Sequence, residues 1–480
     1  MKRVLTIPDP SMPLLALATI ALAVTLSPLV PWASLAAVIV AGSLLAFRRT
    51  EIMLGLLAVS VPVQTAFVFE MHGTTVTVTK MAVICLAVGW LPRAVRRHVP
   101  LDRVTWGYAS VLIALVGSVV AAEDGMRWAS VVYQWSVALF AYLVARTELR
   151  SVHQVLIVLG SMAVAVIGVS TYAIAQVVAE DGPASFFVNG VLRAYGTFGE
   201  PNPLAAYLEL SVPLLLAVLA VALSAPLRSQ ITPGMLALLL AAVSIGTITL
   251  LLTQSRGGWL GFGAALLVIP FLLPARTRLA CFGLGLCACL VLMQTPVGNG
   301  AWERGIAAFE SFGGRVHVTP ANWATEERRA HWGAATRMLA DNPFSGVGAG
   351  DFDREFREYT PEWRFRRSRG HAHNGYLQLG AESGLPGLVS FIAWCGLVLS
   401  ALGNGRSRPK SPFGLALTTG AGATFVAFMV HSMVDYLNVL SLGIQLALVI
   451  AIGMARFSTE RVESDGKGLN VGTQLAARHS

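Results

Sequence analysis

The stretch "P-G-M-L-A-L-L-L-A-A-V-S-I-G-T-I-T-L-L-L-T-Q", residues 233–254, contains no charged side chain. A helix needs about 20 apolar residues to cross the hydrocarbon core of a bilayer. In lipid such a segment must satisfy its own backbone hydrogen bonds, and a helix does so. The whole chain of 480 residues shares this character, because 55% of its residues are hydrophobic and only 13% are charged. Soluble proteins carry about 25% charged residues, so the composition predicts an integral membrane protein.

Further apolar runs occur along the chain, and each predicts a membrane-crossing helix. They lie at residues 12–29, 32–47, 52–69, 75–92, 104–122, 128–145, 154–178, 203–225, 233–254, 257–274, 279–296, 374–402, 412–433 and 437–456. The short alternating segments of a membrane barrel are absent from the sequence. We therefore predict an all-α polytopic integral membrane protein with about 12–14 transmembrane helices and one large extracytoplasmic loop, residues 297–372.

The basic residues predict which loops lie in the cytoplasm. If the N-terminus starts inside and the sides alternate, the short inner loops hold the arginines and lysines, as the positive-inside rule requires. These residues are Lys2, Arg3, Arg48, Arg49, Arg93, Arg96, Arg97, Arg103, Arg146, Arg150, Arg228, Arg276, Arg278, Arg406, Arg408 and Lys410. The net charge of +9 is then explained by topology, and we predict no nucleic-acid partner.

The same alternation places four polar segments together on the outer face: 179–202, 255–256, 297–372 and 431–436. Both termini are predicted to be cytoplasmic, with a disordered tail at 457–480. We predict N-terminal transmembrane helices over 1–190 and a functional core over 191–456, with an extracytoplasmic active site.

Two motifs on this face contain arginines. Arg256 lies in "L-L-T-Q-S-R-G-G-W-L-G-F-G", residues 251–263, either as a turn arginine that reaches the interface or as a guanidinium directed at an oxyanion. Arg193 precedes the helix entry in "L-R-A-Y-G-T-F-G-E-P-N-P-L-A-A-Y-L", residues 192–208, where Asn202 is predicted to cap the helix. Glu209 lies one turn deeper and is either functional or paired with a neighbouring arginine.

A third motif is "R-G-H-A-H-N-G-Y-L-Q-L-G-A-E-S-G-L-P-G", residues 369–387, in which His373 and Asn374 stand at the start of a span. A lone histidine there is more often a structural hydrogen-bonding group than a base, although it is the side chain that titrates near neutral pH. His371 competes for the same role, but on a helix the two histidines would point apart. Arg369 ends the run "R-F-R-R-S-R", a basic rim suited to lipid headgroups or a phosphorylated ligand.

His431 and Asp435 are spaced i, i+4 near an outer helix end. We expect a local helix pair, with the orientation of a catalytic group or a metal site as alternatives. No cluster of acidic residues with metal-binding spacing appears on this face. The cysteines are predicted to be small buried hydrophobic residues rather than metal ligands: Cys85, Cys281, Cys287, Cys289 and Cys395.

The spacing His373-Asn374, nine residues, Gly384, two residues, Gly387 resembles the signature of the bacterial O-antigen ligase and O-antigen polymerase superfamily. The arginine motifs resemble helix motifs of that family, as does "H-W-G-A-A-T-R-M-L-A-D-N-P-F-S-G-V-G", residues 331–348. The resemblance covers about residues 190–440. One departure is Glu200, where relatives often have asparagine.

The resemblance implies a membrane glycosyltransferase that takes a glycan from undecaprenyl diphosphate and attaches it to a glycan or glycolipid acceptor outside the cytoplasmic membrane. It assigns His373 as the base and Arg193 and Arg256 to the diphosphate. From their places in the sequence we predict as supporting residues Asn374, Arg369, Asn202, His431 and Asp435. We expect no cofactor and no metal, and inversion at the anomeric carbon.

Two other functions are alternatives to a ligase. A polymerase of O-antigen or exopolysaccharide differs from a ligase only in its acceptor, so the motifs do not separate the two. A transporter of polysaccharide or lipid-linked sugar requires polar groups near the middle of the membrane, accessible from both sides. The motif residues gather at one face, which favours the enzyme.

Overall fold

The computed structural model describes residues 11–26, 31–66, 68–71, 74–96, 99, 101–188, 190–223, 231–272, 318, 322–360, 363–406 and 411–456. The predicted span 279–296, most of the loop before residue 322, the tail 457–480, and Cys281, Cys287 and Cys289 lie outside these residues. In the described part, the predicted all-α polytopic architecture is confirmed.

The α-helices are α1 (Ser11–Leu26), α2 (Pro31–Arg48), α3 (Thr50–Val63), α4 (Val78–Ala94), α5 (Arg103–Gly117), α6 (Gly125–Glu148), α7 (Val152–Ala179), α8 (Pro201–Glu209), α9 (Val212–Leu223), α10 (Pro233–Leu252), α11 (Arg256–Val268), α12 (Trp323–Asp341), α13 (Phe352–Tyr359), α14 (Gly375–Arg406), α15 (Pro412–His431) and α16 (Leu442–Gly453). Short 3₁₀ turns occur at Ser118–Val120, Ala184–Phe186, Gly196–Phe198, Ile269–Leu272 and Trp363–Phe365. The strands are β1 (Val68–Met71), β2 (Thr74–Thr77), β3 (Phe187–Val188) and β4 (Val191–Leu192), which form two antiparallel pairs.

Within the described residues, seven helical segments are long and apolar enough to cross a membrane. They are Arg103–Val120, Gly125–Glu148, Val152–Ala179, Pro201–Leu223, Pro233–Leu252, Gly375–Asn404 and Pro412–His431. Shorter apolar helices occur at Ala36–Arg48, Thr50–Val63, Arg256–Phe271 and Leu442–Gly453. The chain is therefore a multi-pass membrane protein.

Three predicted spans differ from the expectation. The runs 52–69 and 75–92 extend into β1 and β2, whose residues pair from Val68–Thr77 to Met71–Thr74, because β-branched residues favour strands. The run 203–225 divides into α8 and α9. Pro213 near the start of α9 has no N–H for the carbonyl of Glu209, so the helix breaks there.

An aromatic core supports the helix that follows His373. Trp394 of α14 lies with its ring centroid 4.9 Å from that of Tyr108 on α5 and 5.6 Å from that of Trp135 on α6. A Cβ atom on Gly107 would lie 2.8 Å from the Trp394 ring, so the glycine permits the close approach of α5. Cys85 and Cys395 are free thiols, and both are buried, as the sequence predicted.

The two spaced glycines of the His-Asn motif lie at a break within α14. Ser383 and Gly384 have non-helical backbone angles, and Gly384 adopts φ +66°. Leu385 N donates to Pro343 O at 2.7 Å, and a Cβ atom on Gly384 would lie 2.6 Å from that same oxygen. The break therefore docks the start of α14 against the loop that follows α12, and only glycine fits.

Candidate active site

Four segments that are distant in sequence meet at one end of the helix bundle. Ala194 N donates to Leu252 O at 2.9 Å, which ties the loop before α8 to the end of α10. Gly375 N donates to Ser432 O at 2.7 Å and to Asp435 O at 3.1 Å, which ties the start of α14 to the turn after α15. The sequence analysis predicted that these segments share a face, and the hydrogen bonds join them in pairs.

The centre of the site is the pair formed by His373 and Asp435. His373 Nδ1 lies 3.0 Å from Asp435 Oδ1, and the two side chains are 12% and 7% exposed. An ionised carboxylate can only accept a hydrogen bond, so Nδ1 carries the hydrogen and Nε2 keeps its lone pair. This is the tautomer that a general base requires.

His373 adopts the left-handed backbone conformation, with φ +49°. Left-handed φ values are uncommon for residues other than glycine and cost of order 1–3 kcal/mol when the structure imposes them. Two hydrogen bonds hold this backbone: His373 N donates to His371 Nδ1 at 3.2 Å, and Trp332 Nε1 donates to His373 O at 3.1 Å. The ring is thereby fixed beside Asp435.

Asp435 is charged although it is buried. Burial opposes the charged form, but the hydrogen bond from His373 and the positive charge of Arg328 hold the pKa of the Asp435 carboxyl below its usual range. Its second oxygen accepts from Asn202 Nδ2 at 2.8 Å, and Arg328 Nη2 lies 3.9 Å from it. Arg328 Nε also donates to Val434 O at 3.1 Å, which fixes the guanidinium beside this turn.

Asn202 connects Arg193 to the central pair. Arg193 Nη2 donates to Asn202 Oδ1 at 3.0 Å, and Arg193 Nε donates to Thr253 O at 2.8 Å. The predicted capping role of Asn202 is wrong, because α8 begins at Pro201, before Asn202. Glu200 occupies the cap position and makes no side-chain capping hydrogen bond. Asn202 instead lies in the first turn, where its amide bridges an arginine and a carboxylate.

Arg256 is the first residue of α11 and follows a strained turn. Gln254 is buried with φ +49°, and Ser255 caps the helix by accepting from Gly258 N at 3.4 Å. Arg256 Nη2 donates to Thr325 Oγ1 on α12 at 3.5 Å, one turn before Arg328. Arg256 is thus connected to α12, the helix that carries Arg328. Thr253, whose carbonyl accepts from Arg193, lies three residues before Arg256.

The N-termini of three helices, α8, α11 and α14, belong to this region. Helix N-termini present unpaired N–H groups and a positive dipole end to an anion. Asn374 caps α14, since its Oδ1 accepts from Tyr376 N and Leu377 N at 3.0 Å each, and its amide donates to Met433 O at 2.8 Å. With Arg193, Arg256 and Arg328, the region is electrically suited to a diphosphate.

His371 lies closer to His373 than the sequence predicted. The expectation that the two histidines point apart is wrong, because α14 begins only at Gly375 and both residues precede it. Their ring centroids are 4.3 Å apart. Burial and the neighbouring His373 lower the pKa of His371 to about 4, so it is neutral at neutral pH and can accept the hydrogen bond from the His373 backbone.

The predicted local pair of His431 and Asp435 is also wrong. Their link is a backbone bond, from Asp435 N to His431 O at 2.9 Å, and each side chain has a distant partner. His431 Nδ1 lies 2.9 Å from Glu209 Oε1, with exposures of 1% and 0%, so the alternative of an arginine partner for Glu209 is wrong as well. Of the two residues, Asp435 contacts His373 and His431 does not.

Arg369 lies apart from the central pair. Its side chain is 63% exposed and its Nε donates to Glu327 Oε1 at 3.1 Å. Glu200 is exposed as well. Neither residue has a contact with His373 or Asp435 among the described residues.

A group of potential metal ligands occurs in this site that the sequence did not predict. His371, His373 and Asp435 each offer one ligand atom, and these atoms lie within 4.8 Å of one another. Two imidazoles and a carboxylate form a donor set that divalent transition metals accept. This group has no signature in the local sequence, because Asp435 is 62 residues away from His373.

Arg328 and Trp332 were also missed as contributors. The sequence signal for Arg328 is its place one turn before Trp332, which stands in the motif 331–348. Both residues lie on α12, and the partners of that helix could not be assigned without the fold.

Fold and site together define a polytopic helical membrane protein with a histidine–carboxylate centre and arginines around it. The family model described as O-antigen ligase matches residues 236–392, which lie within the predicted core 191–456. The match supports the O-antigen ligase and polymerase superfamily that the motifs predicted. No curated protein matches the chain.

Proposed function

We propose that this protein is a membrane glycosyltransferase of the O-antigen ligase type. It transfers a glycan from undecaprenyl diphosphate to an acceptor hydroxyl at the outer face of the bacterial cytoplasmic membrane. The observation that carries the proposal is the contact of His373 with Asp435, together with the bonds that connect Asp435 to Arg193 and Arg328.

His373 is the proposed general base. The acceptor hydroxyl is a poor nucleophile until its proton leaves, and a neutral imidazole near the reacting oxygen can take that proton on Nε2. Asp435 orients the ring through Nδ1 and stabilises the imidazolium that forms. His371 is less suited to this role, because its Nδ1 is already engaged by the His373 backbone.

Arg193 and Arg256 are the proposed ligands of the diphosphate, and Arg328 is added to them from the geometry. As the acceptor oxygen bonds to the anomeric carbon, the bond from that carbon to the phosphate oxygen breaks. The leaving undecaprenyl diphosphate gains negative charge, which guanidiniums and helix N-termini stabilise most strongly in a site of low dielectric. Attack from the side opposite the leaving group inverts the anomeric carbon.

The transfer is proposed to be independent of metal, because the arginines supply the positive charge that a cation supplies in other phosphate-leaving reactions. Metal independence needs an experimental test, because His371, His373 and Asp435 could together bind a metal ion. A chelator that abolishes transfer would contradict metal independence and leave the glycosyltransferase proposal intact.

The test is transfer in vitro from a defined undecaprenyl-diphosphate glycan, with the full chain in nanodiscs, with and without chelator. A lipid-linked or protein-linked glycan serves as the ligase acceptor, and a second donor molecule serves as the polymerase acceptor. Transfer that depends on His373 and on Arg256 supports the proposal, and the acceptor that is used separates ligase from polymerase. If neither substitution reduces product formation, the proposal is wrong.

A further inference from the structure

A basic cavity lies beside the candidate active site, and the proposed reaction does not use it. It has a volume of about 530 Å³ and is lined by Trp323 and Glu327 of α12 and by residues 364–369. Ligand pockets commonly fall between roughly 300 and 1,000 Å³. The volume is therefore large enough for a small ligand or for the headgroup of a lipid.

The segment "R-F-R-R-S-R" is held in place by its aromatic residue. Phe365 is 3% exposed, and its ring centroid lies 5.0 Å from that of Trp323. Arg364, Arg366 and Arg367 are exposed on either side of this anchor. The arginines are therefore presented by an ordered attachment to α12 rather than by a loose loop.

The charge of the cavity wall is strongly one-sided. Four guanidiniums line it, from Arg364, Arg366, Arg367 and Arg369, and among its lining residues Glu327 is the sole acid. That carboxylate already accepts from Arg369 Nε at 3.1 Å. Positive charge therefore exceeds negative charge in the cavity, which favours an anionic ligand.

The cavity and the candidate active site lie on different faces of the same helix. Trp323 and Glu327 are one turn apart and line the cavity, whereas Thr325 and Arg328 contact Arg256 and Asp435. At 100° per residue these faces are about 150° apart, on nearly opposite sides of a helix about 10–12 Å across. An anion in the cavity is thus separated from the candidate active site by the width of α12 and does not occupy the diphosphate region.

We propose that this cavity binds a phosphate-bearing group. Arginine suits such a group because its planar guanidinium makes two parallel charge-assisted hydrogen bonds to phosphate oxygens. The phosphate belongs either to the acceptor, in which case the inference rests on the proposed function, or to the headgroup of an anionic phospholipid. In both cases the recognition chemistry is the same.

The experiment measures binding, so its result does not depend on whether transfer occurs. The full chain is placed in phosphatidylcholine nanodiscs and titrated with glucose 6-phosphate, with glucose as the uncharged counterpart. A second arm measures retention of phosphatidylglycerol in mixed nanodiscs by native mass spectrometry. The test variant is Arg366→Ala with Arg367→Ala, and the charge-matched control is Arg337→Ala with Arg357→Ala, which removes two exposed arginines elsewhere on the described part of the loop.

We expect the test variant to lose about tenfold in affinity or more for one phosphate probe, as the loss of charge-assisted hydrogen bonds predicts, while glucose binding and the control variant are unchanged. The double lysine variant, Arg366→Lys with Arg367→Lys, is expected to be intermediate because it keeps the charge and loses the paired geometry. An effect on glucose 6-phosphate assigns the cavity to the acceptor, and an effect on phosphatidylglycerol alone assigns it to a headgroup. Equal binding of both phosphate probes by the wild type and the test variant would overturn the inference, whether or not the enzyme transfers glycan.

Discussion

The described residues include two histidine–carboxylate pairs one helical turn apart, and they differ in what surrounds them. His373 and Asp435 lie 3.0 Å apart with side chains 12% and 7% exposed. His431 and Glu209 lie 2.9 Å apart with side chains 1% and 0% exposed. The chemistry of the two pairs is nearly the same, so their different surroundings determine what each can do.

We call His373 and Asp435 the outer pair and His431 and Glu209 the inner pair, after their exposure. The outer pair is connected to polar groups, whereas the inner pair is enclosed by packing. Asp435 Oδ2 accepts from Asn202, but Glu209 Oε2 and His431 Nε2 have no hydrogen-bond partner among the described residues. Two glycines of α11 cover the inner pair: a Cβ atom on Gly257 would lie 2.4 Å from the His431 ring, and one on Gly261 would lie 2.5 Å from Glu209 Oε2. The inner pair thus positions α11, which begins with Arg256, and the outer pair is available for chemistry.

Replacing the histidine of each pair is expected to distinguish the roles of the two pairs most strongly. His373→Ala is expected to reduce kcat for glycan transfer by roughly 10²–10⁴-fold, the contribution of a general base, without a change in the melting temperature. His431→Gln is expected to lower the free energy of unfolding by about 1–3 kcal/mol, because it removes one partner of a buried hydrogen bond, while the folded fraction still transfers glycan. Transfer assays and thermal unfolding in nanodiscs check both. A His431 variant that is stable and inactive would reverse the assignment of the two pairs.

Arg256→Ala is expected to lower kcat by roughly 10²–10³-fold, as the loss of one group that stabilises transition-state charge predicts. Arg256→Lys should recover only part of this loss, because lysine keeps the charge and lacks the paired donors. The measurement is transfer from undecaprenyl-diphosphate glycan at saturating acceptor. Full activity of the alanine variant would remove Arg256 from the diphosphate site.

Gly257→Ala tests whether α11 is seated on the inner pair. The added methyl group would meet the His431 ring, and overpacking of this kind costs about 1–3 kcal/mol in the free energy of unfolding. Gly263→Ala is the matched control, because nothing lies within 4 Å of its Cβ position in the same helix, and alanine favours helix there. Equal melting temperatures for the two variants would show that the close approach is not needed.

The smallest expected effect is a pH dependence from His371 beside the outer pair. Burial lowers its pKa to about 4 in the folded state, against about 6.5 when unfolded. The unfolded chain therefore binds the proton first. The full difference in pKa corresponds to about 3 kcal/mol, and because the His371 ring is partly exposed, solvent screening is expected to reduce the loss of stability to about 1–2 kcal/mol as the pH drops from 6.5 to 4. The melting temperature of His371→Asn should lack this component, whereas the exposed His153→Asn control should keep it. If the wild type and His371→Asn lose stability in parallel, His371 is not the group responsible.

The helices of the fold were largely predictable from the apolar runs. The run 154–178 became α7, and 412–433 became α15, because a long apolar segment has few alternatives in lipid. The predictions differed from the structure where strand-forming residues or a proline interrupted an apolar run. The threonines and valine of β2 formed a strand, and Pro213 divided a span in two.

The candidate site was predictable in its residue types and only partly in its contacts. His373, Arg193 and Arg256 were identified from motifs, because such polar residues at the ends of apolar runs are costly unless they are used. The partners of Glu209, His431 and Asp435 were not identified. In each case a neighbour in sequence was expected, and the actual partner lies in a distant segment of the chain.

The sequence by itself determined that this chain forms apolar helices with a shared set of polar ends, and its motifs predicted the superfamily that the family match over residues 236–392 supports. Those properties follow from composition and spacing, which act over a few turns of chain. Only the tertiary structure decided that Asp435 meets His373 and that His431 meets Glu209, 222 residues away. Which of two similar histidines is accessible depends on how helices pack, and packing is set by contacts such as those of Gly257 and Gly261, whose partners the local sequence does not specify.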